Sequence, residues 1–137
     1  EIKERDEKDG TEGMIHFVDG AWKKDDLLDD TSIVFKKTSG DLVLLTGCCH
    51  AGLLNTLKHA KENLKSQISM VIGGTHMMGF SKDEVDHVAE VLKNEYNSPI
   101  LYLNHCTGKN TTKQLAEYFG QEKVHSFPAG AHIEFEI

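Results

Sequence analysis

Three apolar segments of the sequence end in a similar way, with a histidine that precedes a helical pattern. LVLLTGCCH ends at His50, SMVIGGTH ends at His76 and ILYLNHC contains His105. Buried strands that alternate with amphipathic helices predict an α/β layer structure, because each helix covers a face of the sheet. In such sheets the carboxyl ends of parallel strands meet at one edge, where ligands bind. We therefore expect His50, His76 and His105 to share one edge of a sheet.

The other segments complete this alternation. SIVFKK and DLVLLTG predict a hairpin, since Ser39 and Gly40 between them are typical turn residues. Ser81 and Glu84 are spaced as in a capping box, which predicts the start of a helix. Helices are predicted over 51–65, with Leu53, Leu54, Leu57, Ala60 and Leu64 facing the core, over 81–96 and over about 111–119. Further strands are predicted over 68–74, 99–104, 123–127 and 131–137.

The composition favours one domain with a single core. The chain has 137 residues and a net charge of −7, and it lacks basic stretches and long apolar stretches, which argues against nucleic acid and membranes as partners. Its three cysteines, two of them adjacent, cannot form a disulfide framework, so we expect a reducing cytoplasm. We expect residues 1–28 to be a charged leader with little structure and residues 29–137 to form the domain.

Cys48 and His50 have the spacing of a metal-ligating pair. Extended backbone would place both side chains on one side, where they offer a thiolate and an imidazole to a soft or borderline cation. Cys49 would then face the opposite side, and we interpret it as a small buried residue. The alternative is that such turn histidines only bond to nearby backbone. Asp29 and Asp30, ahead of the first strand of the domain, fit either a metal-adjacent pair or a charged turn.

The segment NHCTGKN suggests a place for an anion. It sets Thr107, Lys109 and Asn110 just before a predicted helix, where backbone N–H groups and a lysine can hold a phosphate or a carboxylate. Helix capping by Thr107 or Asn110 is an alternative interpretation. We assign no binding role to the remaining histidines, His16, His59, His87, His125 and His132.

Four ordered motifs resemble the metallo-β-lactamase superfamily, in particular its dihydropterin-synthase-like branch of metal-dependent hydrolases. They are Asp-Asp, Thr-Gly-Cys-x-His, Gly-Gly-x-His and His-Cys-Thr-Gly, within DDTSIVFKKTSGDLVLLTGCCHAGLLNTL, VIGGTHM and LYLNHCTG. The resemblance covers about residues 29–137. It implies an αββα sandwich with a one- or two-metal site at one edge. The family's motif His-x-His-x-Asp-His is absent, so the chain resembles the carboxy-terminal half of that fold and, because it begins with Glu1, a fragment.

The resemblance also implies roles for individual residues. Cys48 lies where relatives often place a bridging aspartate, while His50 and His105 resemble metal ligands. His76, Lys109 and Thr107 are implied to contact the substrate. The implied cofactor is a divalent metal, zinc first and manganese or iron as alternatives. Without the first-half ligands the coordination sphere is incomplete, so a chain without bound metal is the alternative expectation.

The implied activity is that of a metal-dependent hydrolase or a pterin-biosynthetic synthase. Metal-activated water would act on a phosphorylated or otherwise anionic small molecule. The alternative is a non-catalytic α/β half-domain that binds a small anion or a partner subunit. A half-sandwich leaves one apolar sheet face uncovered, so we expect either the missing amino-terminal half or self-association to cover it.

Overall fold

A mixed sheet with helices organises the molecule. The computed structural model describes residue 11 and residues 13–136. Its elements are β1 (Ile15–Val18), β2 (Ala21–Lys24), β3 (Ser32–Lys36), β4 (Leu42–Thr46), α1 (Leu53–Leu64), β5 (Ile68–Gly73), α2 (Lys82–Tyr96), β6 (Ile100–Leu103), a 3₁₀ turn (His105–Thr107), α3 (Lys109–Phe119) and β7 (Val124–Ser126). Strands β3 to β7 form one sheet in chain order, with β3 antiparallel to β4 and the later neighbours parallel. The predicted mixed α/β fold is confirmed.

The parallel strands end side by side. Leu45 of β4 pairs with Ile72 of β5, and Gly73 of β5 pairs with Leu103 of β6. Each of these residues is the last or next to last in its strand. The loops that carry the three histidines therefore leave the sheet at the same edge, as the alternation of strands and helices predicted.

The main core lies between the sheet and the helices. Leu44, Leu57, Val88, Leu101 and Leu115 are among its buried residues and come from β4, α1, α2, β6 and α3. The apolar residues of each helix are spaced so that they form one apolar face. This spacing favours a helix and allows each helix to pack on the sheet.

Two helix predictions can be compared with the structure directly. The capping box of α2 is present, with Ser81 as the N-cap and Glu84 as its partner. Of the residues predicted to face the core in α1, Leu64 differs, because it is 47% exposed. It is the last residue of α1, and Lys65 then adopts a left-handed conformation that ends the helix.

The second face of the sheet is covered only in part. Val43, Met70 and Ile72 are buried there, and Ile133 and Phe135 pack against them. The expected strand over 131–137 is not formed within residues 131–136, and residue 137 lies outside the described residues. The alternation of apolar residues there reflects side chains that rest on the sheet face, and the backbone adds no ladder to the sheet.

The amino-terminal part differs from the expectation of little structure. β1 and β2 form an antiparallel hairpin in which Phe17 pairs with Trp22, and their rings are 5.3 Å apart. Asp19 and Gly20 both have positive φ, as a tight hairpin turn requires. Residues 1–10 and 12 of the predicted leader lie outside the described residues. Within the described ranges, no helix combines the length and the apolar character needed to cross a membrane.

Candidate metal centre

Each of the three histidine-bearing loops contains a residue other than glycine in the left-handed region. Cys49 has φ 62°, His76 has φ 51° and His105 has φ 48°. This conformation is uncommon for residues with a side chain, and such residues concentrate at functional sites. At this edge of the sheet, contacts with the rest of the fold therefore hold these three residues in a conformation that their side chains disfavour.

Two cysteines and a histidine from two loops form a cluster of donor atoms. Cys48 follows β4, and His105 and Cys106 follow β6. One ligand atom from each residue lies within 4.8 Å of the others. The Sγ of Cys106 also donates a hydrogen bond to the carbonyl oxygen of Cys48, at 3.3 Å. Burial raises the pKa of the Cys106 thiol, and a hydrogen bond from the backbone of His76 opposes that rise.

A glycine makes room for this cluster. A Cβ added at Gly74 would lie 2.6 Å from the carbonyl oxygen of Gly47 and 2.8 Å from the Sγ of Cys106. The backbone N–H of Gly74 donates to that same oxygen of Gly47 at 3.0 Å. The loop after β5 can therefore lie against the loop after β4 only because position 74 has no side chain.

His50 and His76 contact each other beside an aspartate. Their ring centroids are 4.7 Å apart, with the rings edge to face. The Nδ1 of His50 lies 4.0 Å from a carboxylate oxygen of Asp30, and the backbone N–H of Ala51 donates to the other oxygen at 3.2 Å. Asp30 thus faces the His50 loop, and a metal-adjacent role for Asp29 and Asp30 stays a prediction.

His76 has a buried ring nitrogen that lacks a partner among the described residues. Its Nδ1 is buried and makes no hydrogen bond to the described residues. Burial lowers the pKa of His76, neighbouring His50 and His105 lower it further, and the charge of Asp30 opposes this. The lowered pKa favours the neutral form of the ring, in which one nitrogen can accept a hydrogen bond or coordinate a metal ion.

Cys48 and His50 do not have the extended backbone on which their predicted pairing depends. Cys49, which lies between them, adopts a left-handed conformation. The Cys48 side chain joins His105 and Cys106, whereas the His50 ring contacts His76. Cys49 itself is fully buried, as expected. A site shared by Cys48, His50 and His105 stays a prediction.

The two other implied substrate residues lie in different surroundings. Thr107 is buried, and its Oγ1 accepts a hydrogen bond from the backbone N–H of Thr75 at 3.1 Å and lies 3.0 Å from the hydroxyl of Thr75. Lys109 is exposed at the first position of α3. A direct contact of Thr107 or Lys109 with a substrate stays a prediction.

A cleft opens beside this edge of the sheet. Its volume is about 700 Å³, and the basic or titratable side chains that line it are His105, Lys109, Lys113 and His125. The described residues that line the cleft include no aspartate or glutamate. The cleft therefore favours an anion, in a molecule whose net charge is −7.

The donor atoms fit a borderline divalent cation. Two thiols and an imidazole are ligands of zinc and of similar soft or borderline ions. The sequence reasoning missed Cys106, although its position directly after His105 at a strand end is a usable signal. It also missed His125, whose place depends on the pairing of Tyr102 in β6 with His125 in β7 and is not visible in any local motif.

The chain is similar in sequence to two proteins of one archaeal organism. The chain is 30% identical over 101 residues to the uncharacterized protein MJ0448 of Methanocaldococcus jannaschii, covering 72% of this chain and 35% of that protein. It is 26% identical over 132 residues to the 7,8-dihydropterin-6-methyl-4-(beta-D-ribofuranosyl)-aminobenzene-5'-phosphate synthase of the same organism, covering 94% and 43%. No family model matches the chain.

A solved structure has a similar fold. The crystal structure of Tm1679, a metal-dependent hydrolase of the beta-lactamase superfamily, aligns with a TM-score of 0.78 and 27% identity. The alignment covers 96% of this chain and 52% of that one. The chain thus spans about half of this structure and less than half of the two sequence relatives.

Proposed function

We propose that this chain, which belongs to the metallo-β-lactamase superfamily, supplies one sheet and its helices to a metal-dependent enzyme that acts on a phosphorylated or otherwise anionic small molecule. The observation that carries the proposal is a juxtaposition at one edge of the sheet. His105 belongs both to a cluster of metal-ligand atoms and to the lining of a cleft without acidic side chains. A cation and an anionic substrate would therefore lie side by side.

The proposed metal ligands are Cys48, His50 and His105. Zinc is the first choice for this mixture of sulfur and nitrogen donors, with manganese or iron as alternatives. When bound, such a cation lowers the pKa of a water molecule and polarises a phosphoryl or carbonyl oxygen. The carboxylate of Asp30 lies 4.0 Å from the Nδ1 of His50, too far for a direct hydrogen bond, and its charge would favour a proton on that nitrogen.

The proposed substrate residues act through charge and hydrogen bonding. Lys109 lines the cleft and would pair with a phosphate or carboxylate. The Nδ1 of His76, which has no hydrogen-bond partner among the described residues, would accept a hydrogen bond from a substrate hydroxyl or amine. Thr107 would act mainly by holding the loop between His105 and Lys109, because its hydroxyl is already bonded to Thr75.

A pterin-biosynthetic activity is the narrower form of this proposal. One relative of the chain is named for the synthesis of a dihydropterin compound that carries a 5'-phosphate. A cleft of about 700 Å³ with two lysines is suited to such a phosphorylated substrate. Hydrolysis of another anionic compound is the broader form, in keeping with the hydrolase that has a similar fold.

The partly covered face of the sheet supports a second proposal, that the chain works with another protein layer. Ile33 is 53% exposed, and Phe35, Leu45, Ile100 and Tyr102 are only partly buried. The superfamily sandwich would place a second sheet on this face, either from another part of the protein or from a second copy of the chain. A chain that only bound such a second sheet, without catalysing a reaction, would be a non-catalytic binding module.

Metal and phosphate binding together test the enzymatic proposal. The purified chain should contain a divalent metal, and His50→Ala and His105→Ala should each lose it, while His87→Ala, on an exposed position of α2, should not. Added inorganic phosphate should shift the amide NMR signals around the cleft in the native chain and in Lys36→Ala, but not in Lys109→Ala. A chain that folds but binds neither metal nor phosphate would contradict this proposal.

Sedimentation tests the partner proposal. A chain whose apolar face lacks its second layer should associate at micromolar concentration, and Ile33→Lys should reduce that association without loss of folding. A monomer at all concentrations, both before and after this substitution, would show that the face needs no second layer.

A further inference from the structure

Two cysteines from loops far apart in sequence come together at the edge of the sheet. Cys48 follows β4, and Cys106 follows β6, 58 residues later. Their sulfur atoms lie within 4.8 Å of each other, and the Sγ of Cys106 donates a hydrogen bond to the carbonyl oxygen of Cys48 at 3.3 Å. All three cysteines of the chain are free thiols in this structure. The two sulfurs are therefore neighbours that are not bonded to each other.

Backbone hydrogen bonds hold both cysteines in place. The carbonyl oxygen of Gly47, directly before Cys48, accepts from the N–H of Gly74 at 3.0 Å. The carbonyl oxygen of Cys106 accepts from the N–H of Met78, also at 3.0 Å. Gly74 and Met78 both belong to the loop after β5, which lies between the two cysteines. Because one loop binds both cysteine-bearing loops, the fold itself keeps the two thiols close.

A small side-chain movement would bring the two sulfurs to bonding distance. A disulfide joins its sulfurs at about 2.05 Å. Sulfurs that are at most 4.8 Å apart therefore need to approach by less than about 3 Å. A change of the Cys48 side chain between staggered rotamers is a movement of this size. The backbone hydrogen bonds that tie the loops together can stay in place during such a change.

The two thiols differ in their access to solvent. Cys48 is partly exposed, whereas Cys106 is 6% exposed. An oxidant from solution therefore reaches Cys48 first, and a partly exposed thiol beside a second cysteine is the arrangement in which oxidation ends as a disulfide. Cys49 is fully buried, and its Sγ lies 3.4 Å from the Oγ1 of Thr56. The third cysteine is therefore shielded from the same oxidant.

We propose that Cys48 and Cys106 form a modification site, which a peroxide such as hydrogen peroxide converts to an intramolecular disulfide. The sulfur of Cys48 attacks one peroxide oxygen, the O–O bond breaks, and the thiol proton leaves with the other oxygen as water, so that Cys48 becomes a sulfenic acid. The sulfur of Cys106 then attacks the sulfur of Cys48, and the S–O bond breaks. The hydroxyl leaves with the Cys106 proton as a second water. The two sulfurs together lose two electrons, which the peroxide gains.

The disulfide would change the proposed metal site, and this consequence rests on the proposed function. Cys48 is one of the proposed metal ligands, and a sulfur in a disulfide no longer offers a thiolate to a cation. His105 directly precedes Cys106, so the new bond would also restrain the turn that carries this second proposed ligand. Oxidation would therefore weaken metal binding, and reduction would restore it. The oxidation of the pair itself requires no metal.

Thiol counting and peptide mapping of the purified full chain test the inference without an activity assay. The reduced, metal-free chain is treated with hydrogen peroxide, denatured, alkylated and analysed by mass spectrometry. Two of the three thiols should be lost, peptides joined through Cys48 and Cys106 should appear, and dithiothreitol should restore all three thiols. The oxidised chain should also unfold at a higher temperature, because the bond links residues 58 positions apart.

Variants of single cysteines identify the role of each sulfur, and circular dichroism shows that each variant is folded. Cys49→Ser is the matched control and should still lose two thiols. Cys106→Ser should instead retain a sulfenic acid on Cys48, which dimedone traps. A folded native chain that keeps three thiols, or that joins Cys48 to Cys49 or to a second chain, would overturn the inference. The map of the native chain decides this even where a variant does not fold.

Zinc separates the failure of this inference from the failure of the proposed function. If Cys48 is a metal ligand, saturating zinc should slow the formation of the disulfide, and the oxidised chain should bind zinc more weakly than the reduced chain. A disulfide that forms equally fast with and without bound zinc would support the modification site and contradict the role of Cys48 as a ligand. A chain that binds zinc and phosphate but forms no bond between Cys48 and Cys106 in the absence of metal would overturn the inference and leave the proposed function in place.

Discussion

Cys106 donates a hydrogen bond from its Sγ to the carbonyl oxygen of Cys48 at 3.3 Å, although 58 residues separate them. The contact exists because β4, β5 and β6 are parallel neighbours whose loops leave the same edge. The loop after β5 lies between the two cysteines, and a Cβ added at Gly74 would lie 2.8 Å from the Cys106 sulfur. The cluster therefore depends on the absence of a side chain at position 74.

Gly74→Ala should destabilise the protein and disturb the cluster. The added methyl group would meet the backbone oxygen of Gly47 at 2.6 Å, and backbone cannot move aside as the end of a side chain can. Overpacking of this kind costs about 1–3 kcal/mol of unfolding free energy, measurable by urea denaturation. Gly79→Ala is the control, since nothing lies within 4 Å of a Cβ at that position. Equal stability of the two variants would contradict the close approach.

Thr107→Val should cost more stability than Thr107→Ser. Valine keeps the shape of the side chain but leaves the buried N–H and hydroxyl of Thr75 without their partner. An unsatisfied buried polar group costs about 1–3 kcal/mol, whereas serine retains the oxygen. Urea unfolding curves of the two variants give the difference directly. A valine variant as stable as the serine variant would mean that Thr75 finds another partner.

The layer structure could be predicted from the sequence because it depends on local periodicity. LVLLT and ISMVIG are apolar except for Thr46 and Ser69, as is typical of strands covered on both faces, and the intervening segment has a helical period. Parallel order followed from the helical connections, and with it the shared edge. The hairpin of β1 and β2 was missed although Asp19-Gly20 is a turn signal, because its side chains are exposed and show no burial pattern.

The composition of the cluster could not be predicted because it depends on contacts between distant residues. The left-handed conformation of Cys49 separates the directions of Cys48 and His50, and nothing in the local sequence requires it. The approach of Cys106 to Cys48 depends on the register of three strands and on Gly74. The tail around Phe135 alternates like a strand, yet its partner is a sheet face, which the pattern alone does not distinguish.

Ser81→Ala should weaken α2, while Ser81→Asp should not. The Ser81 hydroxyl accepts a hydrogen bond from the N–H of Glu84 at 3.3 Å, and the Glu84 carboxylate accepts one from the N–H of Ser81 at 2.7 Å. Loss of an N-cap oxygen costs about 0.5–2 kcal/mol, and aspartate supplies an equivalent acceptor. Thermal unfolding of the three proteins measures the effect. An alanine variant with the native midpoint would show that the cap contributes nothing in this chain.

The Asp86 carboxyl should titrate below its ordinary pKa. Its hydrogen bonds with Lys82 and Gln114 lower the pKa from the usual 3.8, and both partners are in place in the folded chain. A carboxyl whose pKa is lower in the folded state stabilises the protein above its unfolded pKa, and this contribution is lost as the pH falls through the folded value. The pH midpoint of the Asp86 titration can be followed by NMR through the chemical shift of its carboxyl carbon. This midpoint should therefore rise towards the ordinary value in Lys82→Ala and in Gln114→Ala. Lys23→Ala, which removes only the exposed pair with Asp19, should leave the curve unchanged. An ordinary midpoint in the native chain would contradict the hydrogen bonds of Asp86 with Lys82 and Gln114.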